Sequence, residues 1–286
     1  MRNLTVLCAV LAGGALAQTA PPKPTEVPDS IEIEHNVPYD THPETVVDVM
    51  WPKAASKEKR PGVIVIHGGG WRGGTKEQMV NSHCLPYLER GFVVANVEYR
   101  LAKAATAPAA VTDVLNAARW FKKNAKKYNV DDKRIVVTGT SAGGHLSLMV
   151  GMTPGSAKLG PSGDVAAVVN FYGITDVWDQ AQGANIREYA VAWLPESVEG
   201  RMELARRVSP ITYVRRDVPA ILTIHGDADP TVPYEHGVSL TRALRDAGAD
   251  AEMINVPQGA HGFPPDKLKS IYAQIFEFLE QRKILR

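Results

Sequence analysis

One α/β domain on a doubly wound, mostly parallel sheet, carrying a small helical insertion, is the fold class the sequence predicts. Three observations carry this expectation. Short β-branched runs such as Val63-Ile64-Val65-Ile66 and Ile135-Val136-Val137-Thr138 are continuously apolar, as strands covered on both faces must be. Segments with apolar residues at helical spacing follow such runs, so strand and helix alternate through the middle and end of the chain. Glycine-rich turns stand at the carboxyl ends of two of these strands, the edge at which open α/β sheets bind ligands.

A length of 286 residues suits one large domain with a sizeable core, taken here as residues 29–286. The net charge of +1 gives no reason to expect nucleic acid or an anionic membrane as partner. The one basic cluster, Lys122, Lys123, Lys126 and Lys127, has the spacing of a solvated helix face. Arg2 precedes an apolar run from Leu4 to Ala17 that is too short to span a bilayer and ends in Ala15-Leu16-Ala17. Residues 1–17 therefore read as a signal peptide cleaved before Gln18, and the proline-rich stretch 18–28 as a disordered lead-in. Cys8 lacks the small residues of a lipid-attachment site, so no membrane anchor is expected. Cleavage leaves Cys84 as the single cysteine, without an internal disulfide, which fits a bacterial periplasmic or secreted protein.

Ile31–Val37 and Thr45–Trp51 alternate apolar and polar residues, as half-buried antiparallel strands at a sheet edge do. Val63–Ile66 is the first buried strand, with His67-Gly68-Gly69-Gly70-Trp71 at its carboxyl end. Phe92–Val97 is the next strand, and Pro108–Tyr128 a long amphipathic helix. Arg134–Thr138 leads into Gly139-Thr140-Ser141-Ala142-Gly143, a sharp strand-to-helix turn that holds Ser141 in a strained conformation and presents its Oγ. Val165–Phe171 is another buried strand. Residues from about 176 to 208 lose the strand pattern and form the predicted helical insertion. Pro219–Ile224 is a strand, Glu235–Ala247 a helix stopped by Gly248, Ala251–Val256 the last strand and Pro265–Arg282 the last helix.

A serine hydroxyl becomes a useful nucleophile when an imidazole takes its proton, and the imidazole needs a carboxylate to fix its tautomer. His261, in the glycine-flanked loop after the last strand, stands where such a base belongs. The other histidines precede the core, belong to the glycine motifs or come before the final strand. For the carboxylate, Asp229 and Asp227 both follow the penultimate strand. Asp229 is preferred because Pro230 and Pro233 stiffen its loop, whereas Asp227 is better placed to hydrogen-bond its own backbone. A developing oxyanion requires fixed N–H donors, which Ala142 and the Gly68-Gly69-Gly70 run can supply. Dinucleotide binding is disfavoured because no acidic residue closes the next strand, although Glu98 comes near. His67 reads as a loop brace.

With these pieces in order, the chain resembles the α/β-hydrolase superfamily, and within it the esterase/lipase branch related to hormone-sensitive lipase and the bacterial feruloyl and acetyl esterase-like group. The likeness covers roughly Thr45 to the C-terminus. It implies a catalytic triad of Ser141, Asp229 and His261, with Asp229 three positions before the Val232-Pro233 pair. It also implies oxyanion donors at Gly69, Gly70 and Ala142, with the Trp71 N–H as a substitute. The activity implied is that of a serine carboxylesterase acting on small or aromatic esters through an acyl-enzyme, without metal or cofactor. Its partner would be a small ester, including acetyl or feruloyl esters of plant polysaccharides. The N-terminal cap of hormone-sensitive lipase relatives is missing, so the acyl side is expected to be enclosed by Trp71 and by Trp178, Tyr189 and Trp193 of the insertion, with Trp71, Trp178 and Trp193 as substrate-binding residues. A prolyl-oligopeptidase-like peptidase would share this core but usually adds a large N-terminal propeller. A non-catalytic binding protein on the same fold would usually have lost a triad member.

Overall fold

The computed structural model describes residues 27–195 and 200–286. The predicted signal peptide and the lead-in up to residue 26 lie outside the described residues.

Eight strands form one sheet in the order β1-β2-β4-β3-β5-β6-β7-β8. β1 (Ile31–Pro38) and β2 (Val46–Pro52) are the antiparallel edge foreseen from their alternation. β3 (Arg60–Ile66), β4 (Val93–Val97), β5 (Val130–Thr140), β6 (Ala167–Phe171), β7 (Ala220–Gly226) and β8 (Ala251–Val256) run parallel. β3 lies between β4 and β5, with Ile66 level with Val97 on one side and Gly139 on the other. The chain therefore reverses its direction of travel across the sheet at β3, and the crevice beyond the ends of β3 and β5 is where such sheets hold ligands.

Both faces of the sheet are covered, so its central strands are apolar throughout. One cluster joins the sheet to α2 (Ala109–Lys123), α3 (Ala142–Met152) and α7 (Glu235–Asp246). The other joins it to the segment after β3 and to α8 (Pro265–Gln281). That segment, unassigned from sequence, is a succession of helical turns: a 3₁₀ turn Lys76–Met79, a π turn Val80–Cys84, and α1 (Leu85–Glu89). α2 ends at Lys123, five residues short of the expected Tyr128. The turns that follow let Tyr128 fold back against Trp51 and Trp120, and β5 starts at Val130, four residues before the predicted run.

The insertion is helical as expected, with α4 (Val177–Gln182), α5 (Glu188–Trp193) and α6 (Arg201–Arg207). Cys84 is buried and free, and burial pushes its thiol well above the usual range. Among the described residues no helix is long and apolar enough to cross a membrane.

Candidate active site

β5 ends at Thr140 and α3 begins at Ala142, leaving Ser141 alone to make the turn at φ 55°, ψ −119°. Positive φ is costly for a residue with a Cβ and persists only where the surroundings enforce it. Here they do. A Cβ on Gly143 would stand 2.1 Å from the Ile66 carbonyl oxygen and 2.5 Å from that of His67, so α3 can reach the end of β3 only with glycine at that position. The result is a serine at the N-terminus of a helix, lining the cleft at the ends of β3 and β5.

His261 Nε2 lies 2.9 Å from Ser141 Oγ, and His261 Nδ1 lies 2.7 Å from Asp229 Oδ2. A carboxylate facing Nδ1 places the ring proton there, which leaves Nε2 free to accept the serine proton. Asp229 is held by its second oxygen, which accepts from the N–H groups of Thr231 at 2.8 Å and Val232 at 3.0 Å. Its side chain is fully buried. Burial alone would raise its pKa, but the imidazoles of His225 and His261 and the Thr231 N–H together hold the carboxyl well below the usual range.

Asp227 is exposed and takes a different task from the one expected. Its Oδ1 accepts from Gln258 N at 2.6 Å, so it ties the acid loop to the histidine loop rather than bonding its own backbone. His225, given no role from sequence, closes the back of the acid: its Nε2 is 3.0 Å from Val232 O and 3.4 Å from Asp229 Oδ2.

The loop after β3 is wound tightly. Gly69 has φ +109°, and its carbonyl accepts from Arg72 N at 3.1 Å and Gly73 N at 3.0 Å; a Cβ there would lie 2.1 Å from the Gly73 oxygen. Among the described residues, the N–H groups of Gly69 and Gly70 meet no backbone or side-chain acceptor, and both glycines line the cleft beside Ser141. The Ala142 N–H is one of the orphan donors of a helix start, at its positive end. These three groups can therefore receive an anionic oxygen. His67 is the brace foreseen for it: Nδ1 is 2.7 Å from Gly68 O, Nε2 is 2.8 Å from Glu98 Oε1, and the ring stacks on Tyr99 at 4.3 Å. Glu98, weighed from sequence as a ribose partner, belongs to this brace.

The cleft has a volume of about 640 Å³. None of the three tryptophans assigned to substrate from sequence lines it, which corrects that expectation. Trp71 and Trp193 are both 0% exposed and stack at 4.1 Å, with Trp71 Nε1 donating to His145 Nδ1 at 3.2 Å. The left-handed backbone at Trp71, φ 56°, accompanies an indole seated in the core beneath the insertion, where its large apolar area is removed from water. Trp178 is half-buried on the far part of the insertion, under the Arg206 guanidinium at 5.6 Å. The aromatic wall consists instead of Tyr189, packed over Gly70, and Tyr172, whose ring lies 4.7 Å from that of His261. Tyr172 sits directly after β6, and that strand-end position was the available signal for it. Among the described residues no group of three or more histidine, cysteine, aspartate or glutamate side chains is placed to hold a metal.

Residues 47–244 match the BD-FAE family model. The chain is 30% identical to the esterase LipQ of Mycobacterium tuberculosis over 233 residues, covering 77% of this chain and 54% of LipQ. It thus spans about half the length of that curated relative. Among solved structures, a truncated carbohydrate esterase from gut microbiota superposes with a TM-score of 0.75 at 30% identity, covering 91% of this chain and 99% of its own. Apo Thermogutta terrifontis esterase 2 superposes with a TM-score of 0.76 at 26% identity, covering 92% and 98%. The chain belongs to the BD-FAE family and has the α/β-hydrolase fold.

Proposed function

We propose that this member of the BD-FAE family is a serine carboxylesterase that hydrolyses small or aromatic esters, acetyl or feruloyl groups on plant polysaccharides among them, through an acyl-enzyme. The observation that carries the reading is the unbroken Asp229–His261–Ser141 relay, with contacts of 2.7 and 2.9 Å, opening onto the free N–H groups of Gly69 and Gly70. Ser141 Oγ attacks the ester carbonyl while His261 Nε2 takes its proton. The carbonyl oxygen gains charge and turns toward the N–H groups of Gly69, Gly70 and Ala142. His261 then returns the proton to the departing alkoxide, which leaves as alcohol. Water, deprotonated by the same imidazole, attacks the acyl carbonyl; the acid departs and Ser141 is restored.

Tyr189 bounds the acyl side in this reading, which suits a short acyl group or a flat ring. The apolar run Leu4–Ala17 behind Arg2 supports export to the periplasm or medium. The names borne by the relatives, esterase and carbohydrate esterase, agree with the substrate class. The test is Ser141→Ala against a panel of 4-nitrophenyl acetate, butyrate and octanoate, methyl ferulate, acetylated xylan and a proline anilide. The expected result is hydrolysis of the short and aromatic esters by the wild type and a loss of about a millionfold in the variant. A variant that keeps full activity ends the mechanism, and a wild type that cleaves the anilide best replaces it with a peptidase.

A further inference from the structure

We propose that a second cavity, between α1 and α8, is a binding subsite for the sugar chain of an ester's alcohol half, a reading that rests on the esterase function above. The cavity has a volume of about 580 Å³, close to that of the catalytic cleft and within the range of small-molecule sites. Ser82 lines both. At their boundary His83 Nδ1 lies 2.8 Å from the Tyr272 hydroxyl, with His83 lining the catalytic cleft and Tyr272 the second cavity. The π turn Val80–Cys84 produces this sharing: the extra residue per turn places Asn81, Ser82 and His83 so that consecutive side chains serve the two spaces. Turns of this kind are rare and are frequently found at functional sites.

Position relative to the relay selects the alcohol half. The leaving oxygen must take its proton from His261 Nε2, so the alcohol portion of a bound ester lies on the histidine's side of the serine. The loop carrying His261 runs directly into α8, and Pro265, four residues on, is the first residue of both that helix and the cavity's α8 wall. A chain leaving the reaction centre on that side passes Ser82 and enters the second cavity.

The lining selects a sugar. Tyr272 and Phe276, both nearly fully buried, form the base, the Arg90 guanidinium lies over the Phe276 ring at 4.6 Å from its centroid and pairs with Glu280, and Asn81, Glu89 and Lys269 complete a polar rim. A pyranose ring carries a rim of hydroxyls, each both donor and acceptor, which matches a lining of donors and acceptors of both signs set by Asn81, Ser82, Glu89, Arg90 and Lys269. An alkyl chain would strip water from those charged groups and return no hydrogen bond.

Ala273→Trp fills this cavity from an exposed position of α8 and leaves the core untouched. Wild type and variant are compared on 4-nitrophenyl acetate, whose alcohol half is too short to leave the catalytic cleft, and on acetylated xylotriose. The expected result is unchanged kcat/KM for the nitrophenyl ester and a rise of about tenfold in KM for the trisaccharide ester, the loss of one or two net hydrogen bonds. Unesterified xylotriose should inhibit the wild type competitively and the variant much less. Lys269→Ala, also exposed, should move the trisaccharide ester in the same direction. Equal values for both enzymes on both substrates, with no inhibition by xylotriose, overturn the subsite while leaving the esterase reading intact. A selective loss on 4-nitrophenyl octanoate overturns it in favour of an acyl channel. No hydrolysis of either ester by the wild type is a failure of the function itself.

Discussion

Replacing Asp229 with Asn exchanges one carboxylate oxygen for an amide NH₂, and the surroundings dictate where that NH₂ must go. One oxygen of Asp229 accepts from two backbone N–H groups, Thr231 and Val232, at 2.8 and 3.0 Å, and the other faces His261 Nδ1 at 2.7 Å. Turning the NH₂ toward the backbone would set donors against two buried donors and break both bonds, a cost of a few kcal/mol. The introduced amide would therefore keep its oxygen on the backbone and aim its NH₂ at His261. The imidazole must then present a bare Nδ1 and carry its proton on Nε2, so it cannot accept from Ser141. The fold is spared and the chemistry is not. The expected loss in kcat is about 10⁴-fold, or about 5 kcal/mol of transition-state stabilisation. Asp227→Asn, at an exposed side chain that accepts one bond from Gln258 N, should cost less than about tenfold. The assay is kcat on 4-nitrophenyl acetate at pH 8 for both variants, with circular dichroism melting to confirm that each is folded. A folded Asp229→Asn enzyme within tenfold of wild type, or an Asp227→Asn enzyme that is the worse of the two, refutes the assignment of the acid.

Four further outcomes follow from the packing. Trp193→Ala should cost about 3 to 5 kcal/mol and lower Tm sharply, because the ring is fully buried and stacked on Trp71. Tyr189→Ala, which lines the cleft, should change the preference between acetyl and butyryl esters with a smaller fall in Tm; the reverse pattern would return Trp193 to the substrate. Burial pushes the imidazoles of His83 and His145 down to about 4 from 6.5, and at His145 the Trp71 indole N–H occupies the nitrogen that a proton would need. Between these values the unfolded chain binds protons that the folded chain refuses, so stability rises with pH across that window and is lost as pH falls from about 6.5 to about 4, by about 3 kcal/mol per histidine. Melting curves at pH 7.5, 5.5 and 4 check this, and a constant Tm would show that these rings find room for a second proton. Gly143→Ala should destabilise by more than about 4 kcal/mol or prevent soluble expression, since its methyl would meet two backbone oxygens that cannot retreat. Melting or solubility of the purified variant measures it, and a normally stable protein would mean that α3 can lift from the end of β3.

What the sequence by itself determined is what short-range chemistry encodes. Continuous apolar runs can satisfy their backbones and bury both faces only as central strands, so β3, β5, β6 and β7 were legible as a doubly wound sheet. Glycine on either side of Ser141 marked the turn, because only a sharp strand-to-helix junction needs that clearance, and with it came Gly69, Gly70 and Ala142 as donors beside it. Chain order and strand-end position brought Asp229 and His261 into view, although the choice between Asp229 and Asp227 turned on which carboxylate faces inward. The tertiary structure places Asp229, the residue preferred from sequence, against His261, and it alone decided the aromatic residues. Trp71, Trp178, Trp193 and Tyr189 carry the same apolar signal in sequence, yet only Tyr189 reaches the cleft, because which ring is core and which is wall depends on how the insertion packs on Trp71. The helical turns between β3 and β4 were illegible for a related reason. Their hydrogen-bond pattern changes from 3₁₀ to π to α within fourteen residues, so no single period runs through them, and their contacts to α8 are made across nearly two hundred residues of chain, as between His83 and Tyr272.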